Sequence, residues 1–258
     1  MDDLAGVGQV LHYLGTIADQ RGDFETARTL MRESLAIRQQ LGDQRQAAYL
    51  LGNLGIVARR QGNPELARSL YEESLELRRQ LGDRWGIANV LNNLGNVTLD
   101  LGDHATACSR LGEAVAIHRE LGDRWSIGNA LNNLGNVVRT QGDYRAAKDL
   151  YNGSLAIYRD LGDKWALAYL FEDVAWLAAL QRASQRALRL AAAAAVLREQ
   201  IGAPLTPAEA RKLAAAFEPA RKALGEAEQA VATAEGRAMT LEESVAYALG
   251  EPGSQVEK

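Results

Sequence analysis

Cysteine is all but missing from this chain: Cys108 is the single one in 258 residues. One thiol cannot build a disulfide framework, so the fold has to rest on packing, and the usage suits a reducing compartment. Aromatic residues amount to only 6%, and strand formers are thin beside Ala, Leu, Arg, Glu and Gln, which favour helices. No apolar run reaches the eighteen or so residues that cross a bilayer. The opening stretch MDDLAGVGQV is acidic where a secretory signal is basic. A soluble, cytoplasmic, all-α protein with no membrane partner is expected. Positive charge is not in excess either, the formal net charge being -4. That argues against a nucleic-acid surface, which needs clustered Lys and Arg. A phosphate loop of the pattern G-x-x-x-x-G-K-[ST] is absent, so any ATPase is expected on other sequence.

What the chain does have is a repeat. LGD stands at 41, 81, 121 and 161, and midway between stand RGD at 21, QGN at 61, LGD at 101 and QGD at 141. The period is forty residues in two halves. Each half is an amphipathic helical pattern closed by a Gly suited to the left-handed C-terminal conformation, then an Asp or Asn suited to cap the next helix. Each repeat is therefore a helical hairpin. The first helix carries a stripe such as Leu91, Leu94, Val97 and Thr98, with Gly95 allowing close approach; the second carries Ala107, Leu111, Ala114 and Ile117. The heptapeptide LNNLGNV appears at 91–97 and again at 131–137. Asparagine is a mediocre helix former, so its repetition asks for a reason.

The small-and-large pattern resembles the tetratricopeptide repeat, in a forty-residue variety. It is carried by Leu14, Gly15, Ala27 and Ser34, then Leu54, Gly55, Ala67 and Ser74, then Leu94, Gly95, Ala107 and Ala114, then Leu134, Gly135, Ala147 and Ser154. The resemblance implies an α-solenoid, a right-handed superhelix of hairpins at 3–42, 43–82, 83–122, 123–162 and 163–202. The fifth is degenerate: Val174 and Ala175 replace Leu-Gly, and Arg182-Ala183 replaces the Gly-Asp turn. Trp85, Trp125 and Trp165 open successive first helices and are expected to staple neighbouring repeats. Capping helices are expected over 203–250, with capping boxes at Thr206 to Glu209 and Thr240 to Glu243, and a disordered tail over 251–258. The closing segment, LREQIGAPLTPAEARKL through EGRAMTLEESVAYAL, is similar to the sensor region of bacterial STAND-class ATPases and LuxR-type regulators.

Helical periodicity places Asn89, Asn92 and Asn96 on one face, and Asn129, Asn132 and Asn136 on the same face one repeat later. Helix capping does not explain them, since caps belong at termini. The tetratricopeptide resemblance implies that this face lines a concave groove. There an amide can donate to a peptide carbonyl and accept from a peptide N–H at once, gripping an extended backbone. Tyr49 and Arg59 in the second repeat, Arg139 in the fourth, and Tyr169, Glu172 and Trp176 in the fifth share that face and would set specificity. The competing reading has the amides bond to one another and fix the stacking with no ligand. His104 and Cys108 lie four apart without further ligands, so no metal and no cofactor is expected. RGD at 21–23 is an interhelical turn, and no catalytic constellation is visible. The expected function is a non-enzymatic module that binds a protein or peptide segment, as sensor or scaffold in bacterial signalling. Self-assembly into a homo-oligomer is the alternative, and a single-stranded RNA reader a weaker one.

Overall fold

The turns are written by local chemistry. Eight glycines from Gly22 to Gly162 take φ between 64° and 85°. The following Asp23, Asp43, Asn63, Asp83, Asp103, Asp143 and Asp163 each accept the N–H of the residue three further on. A left-handed Gly closes one helix, and the side-chain oxygen satisfies an orphan N–H of the next. The computed structural model describes residues 2–251 and is all-α, a repeat fold of the solenoid class with no strand among the described residues. Contacts divide the chain into two compact units that meet in sequence at Asp123 and Arg124.

The first unit holds α1 (Asp2–Gln20), α2 (Phe24–Gln40), α3 (Gln44–Arg60), α4 (Pro64–Gln80), α5 (Arg84–Asp100) and α6 (His104–Leu121). They pair as hairpins α1/α2, α3/α4 and α5/α6, with α2 against α3 and α4 against α5. A Cβ at Gly55 would come to 2.5 Å from the Tyr71 ring, so glycine is what lets the two helices of that hairpin meet. Ser34 and Ser74 are buried and donate to the carbonyls of Gly8 and Ala48 at 2.7 Å, which ties each second helix to its first. Trp85 does staple the unit: its indole N–H donates to Asp123 at 2.9 Å. His118 is buried with its Nδ1 unbonded. Burial lowers its pKa, and Asp123 only partly opposes the shift.

The second unit holds α7 (Arg124–Thr140), α8 (Tyr144–Leu161), α9 (Lys164–Leu180), α10 (Ser184–Ile201), α11 (Pro207–Lys222), α12 (Glu226–Ala238) and α13 (Leu241–Leu249). Hairpins α7/α8 and α9/α10 repeat the same devices: Ser154 donates to the Gly128 carbonyl at 2.7 Å, and Trp125 donates to Asp163 at 2.8 Å. The core runs through Tyr151, Leu155, Phe171 and Leu190, all fully buried. Beyond Gly202, α11 packs on α9 and α10, α12 covers α10, and α13 reaches α8 and α10. The two capping boxes read in the sequence form as expected. Helix α12 was not legible as a separate element, because its N-cap is Gly225 and only Glu228 returns a bond, to the Gly225 N–H. Of the expected tail, residues 252–258 lie outside the described residues, while Glu251 pairs with Arg159 at 3.1 Å.

The degenerate turn keeps its geometry without its glycine. Arg182 takes φ 62°, and Ala183 offers no side-chain cap. A left-handed residue with a Cβ costs about 1–2 kcal/mol. Arg182→Gly is therefore expected to stabilise the second unit by about 1 kcal/mol, measured as a raised urea midpoint. An unchanged or lowered midpoint would show that the arginine side chain offsets its own backbone cost.

Candidate functional site

Two concave surfaces gather the polar face of the first helices, one in each unit. In the second unit a cavity of 310 Å³ opens between α7 and α9, with α11 as a further wall. Spacing of three and four residues brings Asn129, Asn132, Asn133 and Asn136 of α7 onto it, opposite Trp165, Tyr169, Glu172, Asp173 and Trp176 of α9. Trp125 adds an aromatic edge, and Glu209, Lys212 and Leu213 are supplied by α11.

The amides differ in what they have left to offer. Asn136 is committed: it donates to Asp173 at 3.2 Å and accepts from the Tyr151 hydroxyl at 2.8 Å. Asn133 donates to Asn129 at 3.3 Å within the helix. Asn132 keeps a buried Oδ1 with no hydrogen-bond partner. A buried acceptor left unpaired is costly and uncommon, so it marks the point of this wall with an unmet demand.

The charges beneath the cavity are internally paired. Arg139 is buried, lies 3.5 Å from Asp173 and stacks 3.9 Å over Trp176; Lys212 approaches the same ring to 5.4 Å. Glu172 is buried and held bidentately by Arg198, at 2.5 Å and 2.9 Å. Burial raises the Glu172 pKa, with Arg198 pulling the other way. For Arg198 burial opposes the charge, but Glu172 and Tyr169 outweigh it and the pKa rises. Arg198 also stacks 4.1 Å over Tyr169. Glu172, Arg139 and Asn136 thus brace the wall, while the Asn132 oxygen and the faces of Trp125 and Trp165 line the cavity without such a bond. Both tryptophans are about half exposed.

In the first unit a cavity of 280 Å³ is lined by His12, Tyr13, Thr16, Asp19, Tyr49, Asn53 and neighbours. Tyr49 meets the His12 ring edge-on at 5.4 Å. His12 Nε2 lies 3.0 Å from Asn53 Nδ2, and with that amide donating the ring is neutral, in keeping with a pKa lowered by burial and then by Arg38. The other expected site residues of this unit do not line this cavity. Arg59 is paired with Asp100, Asn89 donates to its own helix at Trp85 O at 3.0 Å, and Asn92 and Asn96 are half-buried on α5.

The sequence reading missed Arg198 and the α11 wall. Arg198 had a signal: it stands forty residues in turn from Tyr158, His118, Arg78 and Arg38, all polar positions near the end of a second helix. Arg78 pairs with Asp83 at 2.7 Å, and Tyr158 donates to the Trp125 carbonyl at 3.1 Å. Lys212 had none, since α11 lies outside the period. Among the described residues no group of three or more His, Cys, Asp or Glu is arranged to hold a metal ion, and no helix is long and apolar enough to cross a membrane.

Comparison with known proteins bears on the fold. The family profile described as tetratricopeptide repeat matches residues 6–80 and 86–160. No curated protein matches the chain. Among solved structures, BtubC (BKLC) from P. vanneervenii is 20% identical, with a TM-score of 0.59 over 92% of this chain and 84% of that one. A Rap protein complexed with competence and sporulation factor is 15% identical, with a TM-score of 0.64 over 81% of this chain and 54% of that one. PilF of Pseudomonas aeruginosa is 21% identical, with a TM-score of 0.56 over 90% and 99%. At such identities the likeness is one of fold.

Proposed function

The chain belongs to the tetratricopeptide repeat family, and from that premise we propose that it is a non-enzymatic binding module whose second unit holds an extended protein or peptide segment between α7 and α9. The observation that carries this reading is the unpartnered Asn132 Oδ1 in a wall otherwise braced by internal bonds. A peptide N–H is the donor that fits it, reached by a small rotation of the amide. Asn129 and Asn133, half-buried beside it and bonded to each other at 3.3 Å, flank that point, and Trp125 and Trp165 offer apolar faces to alternate side chains. Glu172, Arg139, Trp176 and Asn136 hold the wall in shape, while Tyr169 stands between Arg198 and Trp165 and sets the floor. In the first unit Tyr49, and along α3 and α5 the set Arg59, Asn89, Asn92 and Asn96, would form a contact surface of their own for a protein or peptide segment.

A role as sensor or scaffold in bacterial cytoplasmic signalling is part of the proposal. It is supported by a Rap protein of this fold that is complexed with a factor, and it takes the closing segment to resemble STAND-class and LuxR-type sensor regions. This chain spans about half of that protein's length, so the partner here is to be found by experiment. A randomised library of extended decapeptides displayed on phage is the probe. Enriched peptides are expected to lose about tenfold in affinity, or about 1.4 kcal/mol, on Asn132→Ala, with helicity unchanged. Peptides held equally by wild type and variant would sink the Asn132 wall as the site.

A further inference from the structure

The second unit has a smaller cavity, of 60 Å³, lined by Lys148 and Asn152 of α8, Gln181 just past α9 and Arg186 of α10, with Val174 and Leu177 on its apolar side. The two charged groups on it are both cations, and no carboxylate lines it. Arg186 is half-buried; it donates from Nη2 to the Ala248 carbonyl at 2.8 Å and stacks 5.0 Å over the Tyr247 ring, which leaves Nε and Nη1 uncommitted. Burial lowers its pKa, and only Tyr247 opposes the shift. Among the described residues neither Arg186 nor Lys148 pairs with a carboxylate, and the side chains of Lys148, Asn152 and Gln181 make no hydrogen bond. Other arginines of this unit are answered: Arg189 by Glu235, Arg159 by Glu251 and Arg198 by Glu172. The period shows what is missing. Arg28 and Arg68, the counterparts of Lys148, are each bound by a glutamate three residues earlier, Glu25 and Glu65, and the residue at that place before Lys148 is Arg145.

We propose that this cavity is a phosphoryl-binding site, in which Arg186 and Lys148 neutralise the group and Asn152 and Gln181 donate to its remaining oxygens. Charge and size select that ligand. A partly buried guanidinium without a counter-charge is costly, and two cations on one small cavity are matched by a single doubly charged group. A carboxylate carries one charge and satisfies only one of them. A phosphoryl group carries close to two and offers three acceptor oxygens, enough for the guanidinium fork, the ammonium and the amides together. The volume has room for one such compact group and none for a nucleotide around it. The side chains come from α8, the end of α9 and α10, so the hairpin packing of this unit already holds them in place.

The test follows the phosphorus NMR resonance of inorganic phosphate, and separately of a short peptide carrying phosphoserine, as the whole purified chain is added at constant ionic strength. Saturable binding is expected for the wild type, weakened about tenfold by Lys148→Gln and by Arg186→Gln. Arg145→Gln, which removes an exposed cation of the same helix that does not line the cavity, is expected to bind as the wild type does. Lys148 is exposed, so its replacement is expected to leave the fold intact, checked by circular dichroism, and that variant decides the matter if Arg186→Gln unfolds. Tighter binding of the phosphopeptide than of phosphate assigns the site to a phosphorylated partner. Phosphate held as tightly or more tightly assigns it to the free anion. Absence of saturable binding for both probes overturns the proposal, and so does binding that Lys148→Gln leaves unchanged, because the anion then sits elsewhere.

Discussion

Arg198→Met is expected to destabilise the second unit by about 3–5 kcal/mol, the cost of leaving a buried charge without its partner. Arg198 and Glu172 are 5% and 7% exposed, and the guanidinium grips both carboxylate oxygens. Methionine keeps the length and the apolar stem but removes every donor, so the carboxylate faces burial alone, and the bond to the Ala203 carbonyl at 3.2 Å goes too. The sign of the pH dependence follows. Burial already raises the Glu172 pKa above its ordinary value with Arg198 present, and without Arg198 the folded state favours the proton more strongly. A group whose folded pKa is raised adds stability when it is protonated, and loses it as pH rises through the folded pKa. The variant's deficit is therefore expected to be smaller at about pH 5 than at about pH 7. Glu172→Leu combined with Arg198→Met should recover most of the loss, since a well-packed apolar pair replaces an ion pair at little cost. Urea unfolding followed by the fluorescence of Trp125, Trp165 and Trp176 reads all three variants. A single-variant cost below about 1 kcal/mol would mean that water reaches the pair.

Tyr151→Ala is expected to cost about 3–5 kcal/mol by leaving a cavity in the centre of the second core. The ring is fully buried, and it occupies the space that Gly135 leaves open: a Cβ at Gly135 would come within 2.6 Å of it. Tyr151→Leu should cost less, because Leu111 fills the equivalent position opposite Gly95 one repeat earlier. Tyr151→Phe separates packing from polarity. It removes only the hydroxyl that donates to Asn136, for about 1 kcal/mol. The consequence for the wall is the more informative readout. Asn136 bonds Asp173, Asp173 bonds Arg139, and Arg139 stacks on Trp176. A shift in the Trp176 emission in Tyr151→Phe, with secondary structure intact, would show that this chain sets the wall's geometry. An unchanged emission would leave the hydroxyl a purely local role.

Helix ends were the most legible part of the chain because they depend on residues within a few positions of one another. Asp43 caps the helix it precedes whatever packs elsewhere, and Gly42 turns the chain left-handed whatever follows. Where the local chemistry was weak a boundary went unread, since α12 begins at a glycine with no capping hydroxyl; the Arg182 turn, with no glycine at that place, was legible from the period alone. The forty-residue period likewise fixed which residues share a face, since that is geometry of one helix alone.

The fate of each side chain on that face was another matter. Asn132 and Asn136 lie four apart in the same heptapeptide, with the same periodicity and the same chemistry. One is saturated because Tyr151 of α8 and Asp173 of α9 converge on it; the other faces a cavity with its oxygen unpaired. Glu172, exposed on a helical wheel drawn from α9 alone, is buried because Arg198 reaches it from α10. Lys212 enters the wall from a helix outside the repeat altogether. Local propensity, caps and period thus dictated an all-α repeat of hairpins directly from residue order. The division of the polar face into braced side chains and an amide left unpaired came from hydrogen bonds between residues far apart in sequence, which no single helix encodes.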